Sequence, residues 1–112
     1  MLISALTEFD FHPRLRASRG TSLVIFSSPG CGSCRQWLQL LRDFSSPILQ
    51  HCFVVDIQIA TALANEYAVF HLPSLFVFID GIFHAPIHAE AIPSLLDNAI
   101  RNALNQTAHE EP

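Results

Sequence analysis

The sequence has few charged residues and no basic cluster. Only 14% of its 112 residues are charged, and 6 Lys and Arg residues against 10 Asp and Glu residues give a net charge of -4. Because no group of Lys or Arg could neutralise a row of phosphates, we expect no nucleic-acid partner. Half of the residues are hydrophobic, which excludes a disordered chain and predicts a compact domain.

Long hydrophobic runs are also missing. The longest, residues 23–26 and 75–79, fall far short of the roughly 20 apolar residues of a membrane-spanning helix. We therefore expect no membrane association and interpret both runs as buried strands. Residues 1–8 have neither the basic start nor the apolar stretch of a signal peptide. Three cysteines do not form the even, dense framework of a disulfide-rich secreted domain, so we expect a cytoplasmic protein.

The length of the chain accommodates one hydrophobic core, so we predict a single domain over residues 1–112. Composition shifts only near the end, where residues 106–112 are typical of a frayed polar tail. No repeat, low-complexity tract or internal linker divides the chain. The domain and its tail are therefore expected to be the whole organisation.

Hydrophobic periodicity predicts alternating strands and helices. Apolar residues at i, i+3, i+4 and i+7 from Trp37 to Phe44 indicate an amphipathic helix. The Asp80-Gly81 pair predicts a hairpin, and Pro86 places its second strand at a sheet edge. This order predicts an α/β fold, with a central mixed β-sheet flanked by helices on both faces. The remaining predicted elements are strands at 23–26 and 53–59, a short helix at 60–67 and a last helix from about Ile92 to Leu104.

The residues with evident chemistry are Cys31-Gly32-Ser33-Cys34, between the strand at 23–26 and the helix that follows. A helix N-terminus offers unpaired N–H groups and positive dipole charge, which favour a reactive thiolate. The alternatives are an inert disulfide or half of a zinc site. A zinc site needs a second ligand pair at suitable spacing, whereas His51 and Cys52 are adjacent, so we expect no metal.

The Cys-x-x-Cys motif after a central strand, with Leu72-Pro73-Ser74 beginning a later strand, resembles the thioredoxin family from about Leu6 to Gln106. The resemblance implies the thioredoxin fold, with Cys31 as the attacking cysteine and Cys34 as the resolving cysteine. It also implies a cis peptide bond before Pro73. Leu72, Pro73 and Gly30 are then expected to flank the substrate groove. The redox-active Cys31-Cys34 disulfide takes the place of any cofactor.

Several positions depart from the family pattern. Gly30 stands where thioredoxins have a tryptophan, and Ser33 stands where they usually have proline. Ile25 and Val54 replace a buried acid and its neighbouring lysine, and the acid serves proton transfer at the resolving cysteine in that family. Gln39 replaces the proline that kinks the helix after the motif, and Ala89 a late glycine. These changes put general thioredoxin activity in question without removing the dithiol.

Two functions follow from this pattern. The first is a thiol-disulfide oxidoreductase, acting as a reductase on protein disulfides and re-reduced by an external thiol or reductase. The second is a binding or assembly module for a dedicated partner, with little redox turnover. In either case we expect a monomer.

Other residues carry weaker signals. His71 could favour the Cys31 thiolate or be a solvated loop residue. Cys52 is expected to be a small buried hydrophobe. His84 and His88 alternate on the predicted edge strand, but no carboxylate shell accompanies them, so we do not expect them to bind metal.

Overall fold

The computed structural model describes residues 1–112 and contains one five-stranded sheet with four helices. The sheet order is β1-β3-β2-β4-β5, in which β1, β3 and β2 are parallel to one another and β4 runs antiparallel to both of its neighbours, β2 and β5. The predicted mixed sheet is therefore confirmed. No helix combines the length and the hydrophobicity needed to cross a membrane. The elements are β1 (Ile3–Ala5), α1 (Phe11–Ala17), β2 (Thr21–Ser27), α2 (Gly32–Asp43), β3 (His51–Asp56), α3 (Thr61–Glu66), β4 (Ser74–Ile79), β5 (Ile82–Ile87) and α4 (Pro93–Leu104).

The central strand β2 is buried along all seven of its residues. Helices cover both faces of the sheet, so both sets of alternating side chains must be buried, which explains the continuous apolar run. Leu23 and Ile25 face α2 and α4, whereas Val24 and Phe26 face α1 and α3. The sheet thus separates two hydrophobic layers.

We call the layer beneath α2 and α4 the aliphatic layer. It contains Leu23, Ile25, Trp37, Leu41, Phe44, Leu49, Cys52, Leu75, Val77, Ala85, Ile87, Leu96, Ile100 and Ala103.

The aromatic layer beneath α1 and α3 is built around Phe11, Phe26, Tyr67, Phe76, Phe78 and Phe83. Neighbouring rings in it have centroids 5.5 to 6.3 Å apart, several of them edge to face. Rings in such arrangements stabilise one another beyond simple burial.

The β4–β5 hairpin turns at Asp80 and Gly81, as the sequence predicts. Both residues have positive φ, 51° and 78°, as a two-residue turn matched to the strand twist requires. Gly81 is also needed for close packing, since a Cβ atom there would lie 2.5 Å from the Arg16 Cα of α1. Pro86 lies on β5 at the sheet edge, where its missing N–H leaves no internal ladder bond unmade.

One expectation needs correction. The strand predicted over 53–59 ends at Asp56, because the Asp56 carboxylate accepts the N–H of Gln58 at 2.9 Å and forms a turn. The polar tail at 106–112 is exposed and lies outside every helix and strand, and it makes two contacts with the domain. The His109 N–H donates to the His84 carbonyl oxygen at 2.7 Å, and the Tyr67 hydroxyl donates to Glu111 Oε2 at 2.8 Å. An edge strand offers unpaired carbonyls, and the tail uses one of them.

Candidate redox site

Strand register brings the two sequence motifs to one end of the sheet. Phe26 pairs with Ser74 across the antiparallel β2–β4 ladder. Cys31 follows the end of β2 after a short turn, and Pro73 directly precedes β4. Sequence reasoning placed both motifs beside strands, and the topology places those strand ends side by side.

Cys31 caps the N-terminus of α2. Its backbone is extended, with φ -91° and ψ 110°, and its Sγ accepts the backbone N–H of Cys34 at 3.1 Å. Ser33 Oγ lies 3.4 Å from the same sulfur. An N–H donor and the positive end of a 12-residue helix both stabilise negative charge on Sγ. Cys31 is therefore well placed to act as a thiolate nucleophile.

Cys34 lies on the first turn of α2 and is almost completely buried, whereas Cys31 is partly exposed. The two residues form a disulfide, with their Cα atoms 5.2 Å apart. An incoming sulfur can reach Cys31 but not Cys34. A pair of one accessible and one shielded cysteine supports thiol-disulfide oxidoreductase activity.

The strands beneath the motif carry no charge at the two positions where the family pattern has an acid and a lysine. Ile25 is fully buried, and it pairs directly with Val54 across the parallel β2–β3 ladder. Both side chains pack in or against the aliphatic layer. The protein therefore offers no carboxylate at position 25 to take a proton from Cys34.

The loop before the motif is held by hydrogen bonds to two of its backbone carbonyls. The Cys31 N–H donates to the Ser28 carbonyl at 3.2 Å, and Arg35 Nη1 donates to the Pro29 carbonyl at 3.3 Å. A Cβ atom built at Gly30 would meet no heavy atom within 4 Å. Gly30 thus leaves open space beside Cys31 where a larger residue would present a surface.

The Leu72-Pro73 peptide bond is cis, as the resemblance to the family implied. Leu72 packs against the aromatic layer, while Pro73 lines a groove of about 370 Å³. Ser74 Oγ donates to the His71 carbonyl at 2.6 Å, which ties the loop to the start of β4. Phe70, which sequence reasoning missed, lines the same groove and is 85% exposed. Its signal was a bulky apolar residue in a loop, outside any strand or helix periodicity.

The weaker candidates lie in different surroundings. His71 is exposed on the groove loop. Cys52 is buried, as predicted, and burial raises the pKa of its thiol to about 12, so it is a poor nucleophile. His84 is buried with Nε2 2.6 Å from the Ala103 carbonyl oxygen, whereas His88 is exposed. The two histidines therefore do not act as a pair.

Comparison with known proteins gives one consistent picture. The thioredoxin family model matches residues 3–102. Thioredoxin from Griffithsia pacifica is 29% identical over 83 residues, which are 72% of this chain and 76% of that protein. Among solved structures, the zinc-bound form of human ERp44 aligns with a TM-score of 0.68 and 19% sequence identity. That alignment covers 90% of this chain but only 31% of the ERp44 chain, and it concerns the fold alone.

Proposed function

Because this chain belongs to the thioredoxin family, we propose that it reduces disulfide bonds of other proteins. The observation that carries the proposal is the asymmetry of the cysteine pair. Cys31 is accessible and its sulfur accepts an N–H at the start of α2, while Cys34 is buried one turn further on. Nucleophilic attack and resolution require these two different environments.

The reaction transfers two electrons in two exchange steps. The Cys31 thiolate attacks one sulfur of the substrate disulfide, and the other substrate sulfur leaves as a thiolate. Cys34 then loses its proton and attacks the Cys31 sulfur, which releases the second substrate thiolate and leaves the Cys31-Cys34 disulfide. An external thiol or reductase supplies the two electrons that restore the dithiol.

The substrate chain is proposed to lie beside Gly30, Leu72 and Pro73. Gly30 presents no side chain next to Cys31, so a bulky substrate segment can approach the sulfur. Pro73 directly precedes β4, whose start lies beside the end of β2, and it lines the groove. The proposed protein is a cytoplasmic monomer that needs neither a metal nor a cofactor beyond its own disulfide.

The second candidate is a binding or assembly module in which the same groove holds a dedicated partner and the cysteines turn over little. Ile25 and Val54 favour it, because resolution is hindered when Cys34 has no proton acceptor. A long-lived mixed disulfide would favour retention of a partner over repeated catalytic turnover.

Turnover and trapping distinguish the two functions. We expect insulin reduction in the presence of dithiothreitol to run faster than with dithiothreitol alone. Cys34→Ser should trap a mixed disulfide with a model disulfide protein, whereas Cys31→Ser should trap little because Cys34 is shielded. Comparable trapping by the two variants, seen by non-reducing mass spectrometry, would contradict the assigned roles. No rate above that of dithiothreitol would favour the binding module.

The reduction potential of the Cys31-Cys34 pair sharpens the assignment of direction. Every 30 mV changes the two-electron equilibrium about tenfold. A value near the reducing poise of the cytosol is expected for a reductase. A far more oxidising value would instead indicate an oxidant or isomerase.

A further inference from the structure

Pro112, from the tail of the chain, forms part of the wall of the groove beside Pro73. Its walls come from the loop after α3, the start of β4 and the end of β5, and Pro112 completes them. Because Pro73 and Pro112 both line the groove, it lies next to the proposed substrate path and is bordered by the tail of the chain.

Two hydrogen bonds hold the tail beside β5 and next to this groove. The His109 N–H donates to the outward carbonyl of His84 on β5, at 2.7 Å. Two residues later, Glu111 Oε2 accepts the Tyr67 hydroxyl at 2.8 Å. Sheet edges recognise extended peptides in this way, through main-chain hydrogen bonds to the edge strand and contacts of individual side chains.

Tyr67 supplies the specific element of this recognition. Its ring is a buried member of the aromatic layer, and only 2% of the residue is exposed. Glu111 is the hydrogen-bond partner of its hydroxyl, and a buried hydroxyl needs such a partner. Burial and the bond to Glu111 both raise the pKa of Tyr67, so the hydroxyl stays a proton donor.

The charges around the groove suit a carboxylate. None of its lining residues is acidic, and two of them, His71 and His88, are histidines. Glu66 is an acid whose charge acts on Tyr67, and its Oε2 lies 3.2 Å from His12 Nε2. An acidic segment thus meets a donor without direct repulsion from the lining.

The tail is held weakly enough to be displaced. Residues 105–112 are all exposed, and none of them belongs to a helix or strand. Two hydrogen bonds must offset the lost freedom of the whole segment, which leaves little net stabilisation.

We propose that the groove lined by Tyr67, Pro73 and Pro86 is a binding site for an extended peptide bearing a carboxylate, and that residues 106–112 of the same chain are its resident occupant. A substrate segment that enters the groove must then displace this tail. The competition with substrate rests on the proposed reductase function, whereas the binding itself does not.

The binding is tested without any redox reaction. A fluorescent peptide of sequence QTAHEEP, residues 106–112, is titrated into the chain ending at Asn105, which retains every strand and helix. We expect saturable binding that weakens about tenfold when Gln replaces the glutamate at position 111, since a charge-assisted bond is lost. Equal weakening by Gln at position 110 would overturn the proposal, as would no binding of the parent peptide.

Full-length variants test whether the tail is docked in the intact chain. The His109 amide should be protected from hydrogen exchange in the wild type and lose protection in Glu111→Ala and Tyr67→Phe. Glu110→Ala is the matched control, because Glu110 makes no side-chain hydrogen bond or ion pair. An unprotected His109 amide in the wild type, or equal loss in the control, would contradict the docking.

Competition is read from kcat/KM for insulin against a small aromatic disulfide. Glu111→Ala should raise the value for insulin several-fold and leave the small disulfide unchanged, because only the protein substrate needs the groove. Equal rates for Glu111→Ala and wild type on insulin would refute the competition. If no variant reduces insulin while the peptide still binds, the proposed reductase function fails and the peptide site stands.

Discussion

The two faces of the sheet are packed in different ways. The aliphatic layer, beneath the cysteine-bearing helix α2, consists mainly of branched side chains with Trp37 and Phe44 at its margin. The aromatic layer, beneath α1 and α3, concentrates six rings that contact one another. Branched side chains fit closely under a helix, whereas rings form a stiff platform through preferred relative orientations.

The helix that carries the cysteines and the polar group beside the groove therefore lie on different sides of the sheet. Beneath α2 the layer supplies no charge, so in the proposed reaction the proton of Cys34 would have to go to solvent or to the bound partner. Across the sheet, Leu72 packs on the aromatic layer and Tyr67 offers its hydroxyl to the groove. The aliphatic face, beneath the cysteine motif, carries no charged group, whereas the aromatic face carries Leu72 and the Tyr67 hydroxyl.

The largest loss of stability is expected from Phe78→Ala, which removes a ring from the aromatic layer. Phe78 is 1% exposed and contacts three other rings of the layer, so we expect its truncation to lower the free energy of unfolding by about 3–5 kcal/mol. Phe70→Ala is the matched control, since that ring is exposed and its loss should change stability by less than about 0.5 kcal/mol. Urea unfolding measures both, and similar losses would show that the rings do not act as a platform.

The second prediction concerns the aliphatic side, which has no charge beneath α2, and it is the decay rate of a mixed disulfide. A mixed disulfide between Cys31 and a substrate should decay up to about a hundredfold faster when the pH rises from 7 to 9, since each pH unit raises the thiolate fraction of Cys34 about tenfold below its pKa. Acid quenching followed by mass spectrometry gives the rates.

Ile25→Asp sharpens this prediction. A carboxylate at that position should accept the Cys34 proton and reduce the pH dependence, at a cost in stability from its burial. A pH-independent decay in the wild type would show that another group already takes the proton.

The last prediction concerns Cys52, in the aliphatic layer. Burial raises the pKa of its thiol to about 12, so the folded chain retains the proton at pH values where the unfolded chain loses it. The stabilisation is full below about pH 9 and is lost as pH rises toward 12, by up to about 1.4 kcal/mol per pH unit. The unfolding free energy of the wild type minus that of Cys52→Ala should therefore fall over that range. Titration of Tyr67 is common to both chains and cancels, and a constant difference would contradict the burial argument.

Local signals made much of the fold predictable from the sequence. The periodicity of α2, the Asp80-Gly81 turn and the last helix from about Ile92 to Leu104 each require only neighbouring residues, and all three are confirmed. The sequence did not predict β1 or α1. β1 has three residues and exists because Ile3 pairs with Cys52, while α1 has seven residues and contains Pro13. Elements this short are fixed by distant contacts and leave no periodic pattern.

The candidate site divides in the same manner. Cys31, Cys34 and Pro73 were recognisable because a motif or a family pattern marks them. The contact between Tyr67 and Glu111 joins residues 44 positions apart. Neither residue type is unusual where it stands, so only the folded chain reveals that the tail reaches the groove.

The packing of the two layers also gives the molecule a pair of intrinsic optical reporters. The sequence has one tryptophan and one tyrosine, and Trp37 lies in the aliphatic layer whereas Tyr67 lies in the aromatic layer. Emission from Trp37 senses the side that carries the cysteines, and near-ultraviolet absorbance of Tyr67 senses the side that carries the groove. When the protein unfolds as one unit the two signals change together. A denaturant range in which only one of them changes would mark the layer that loosens first.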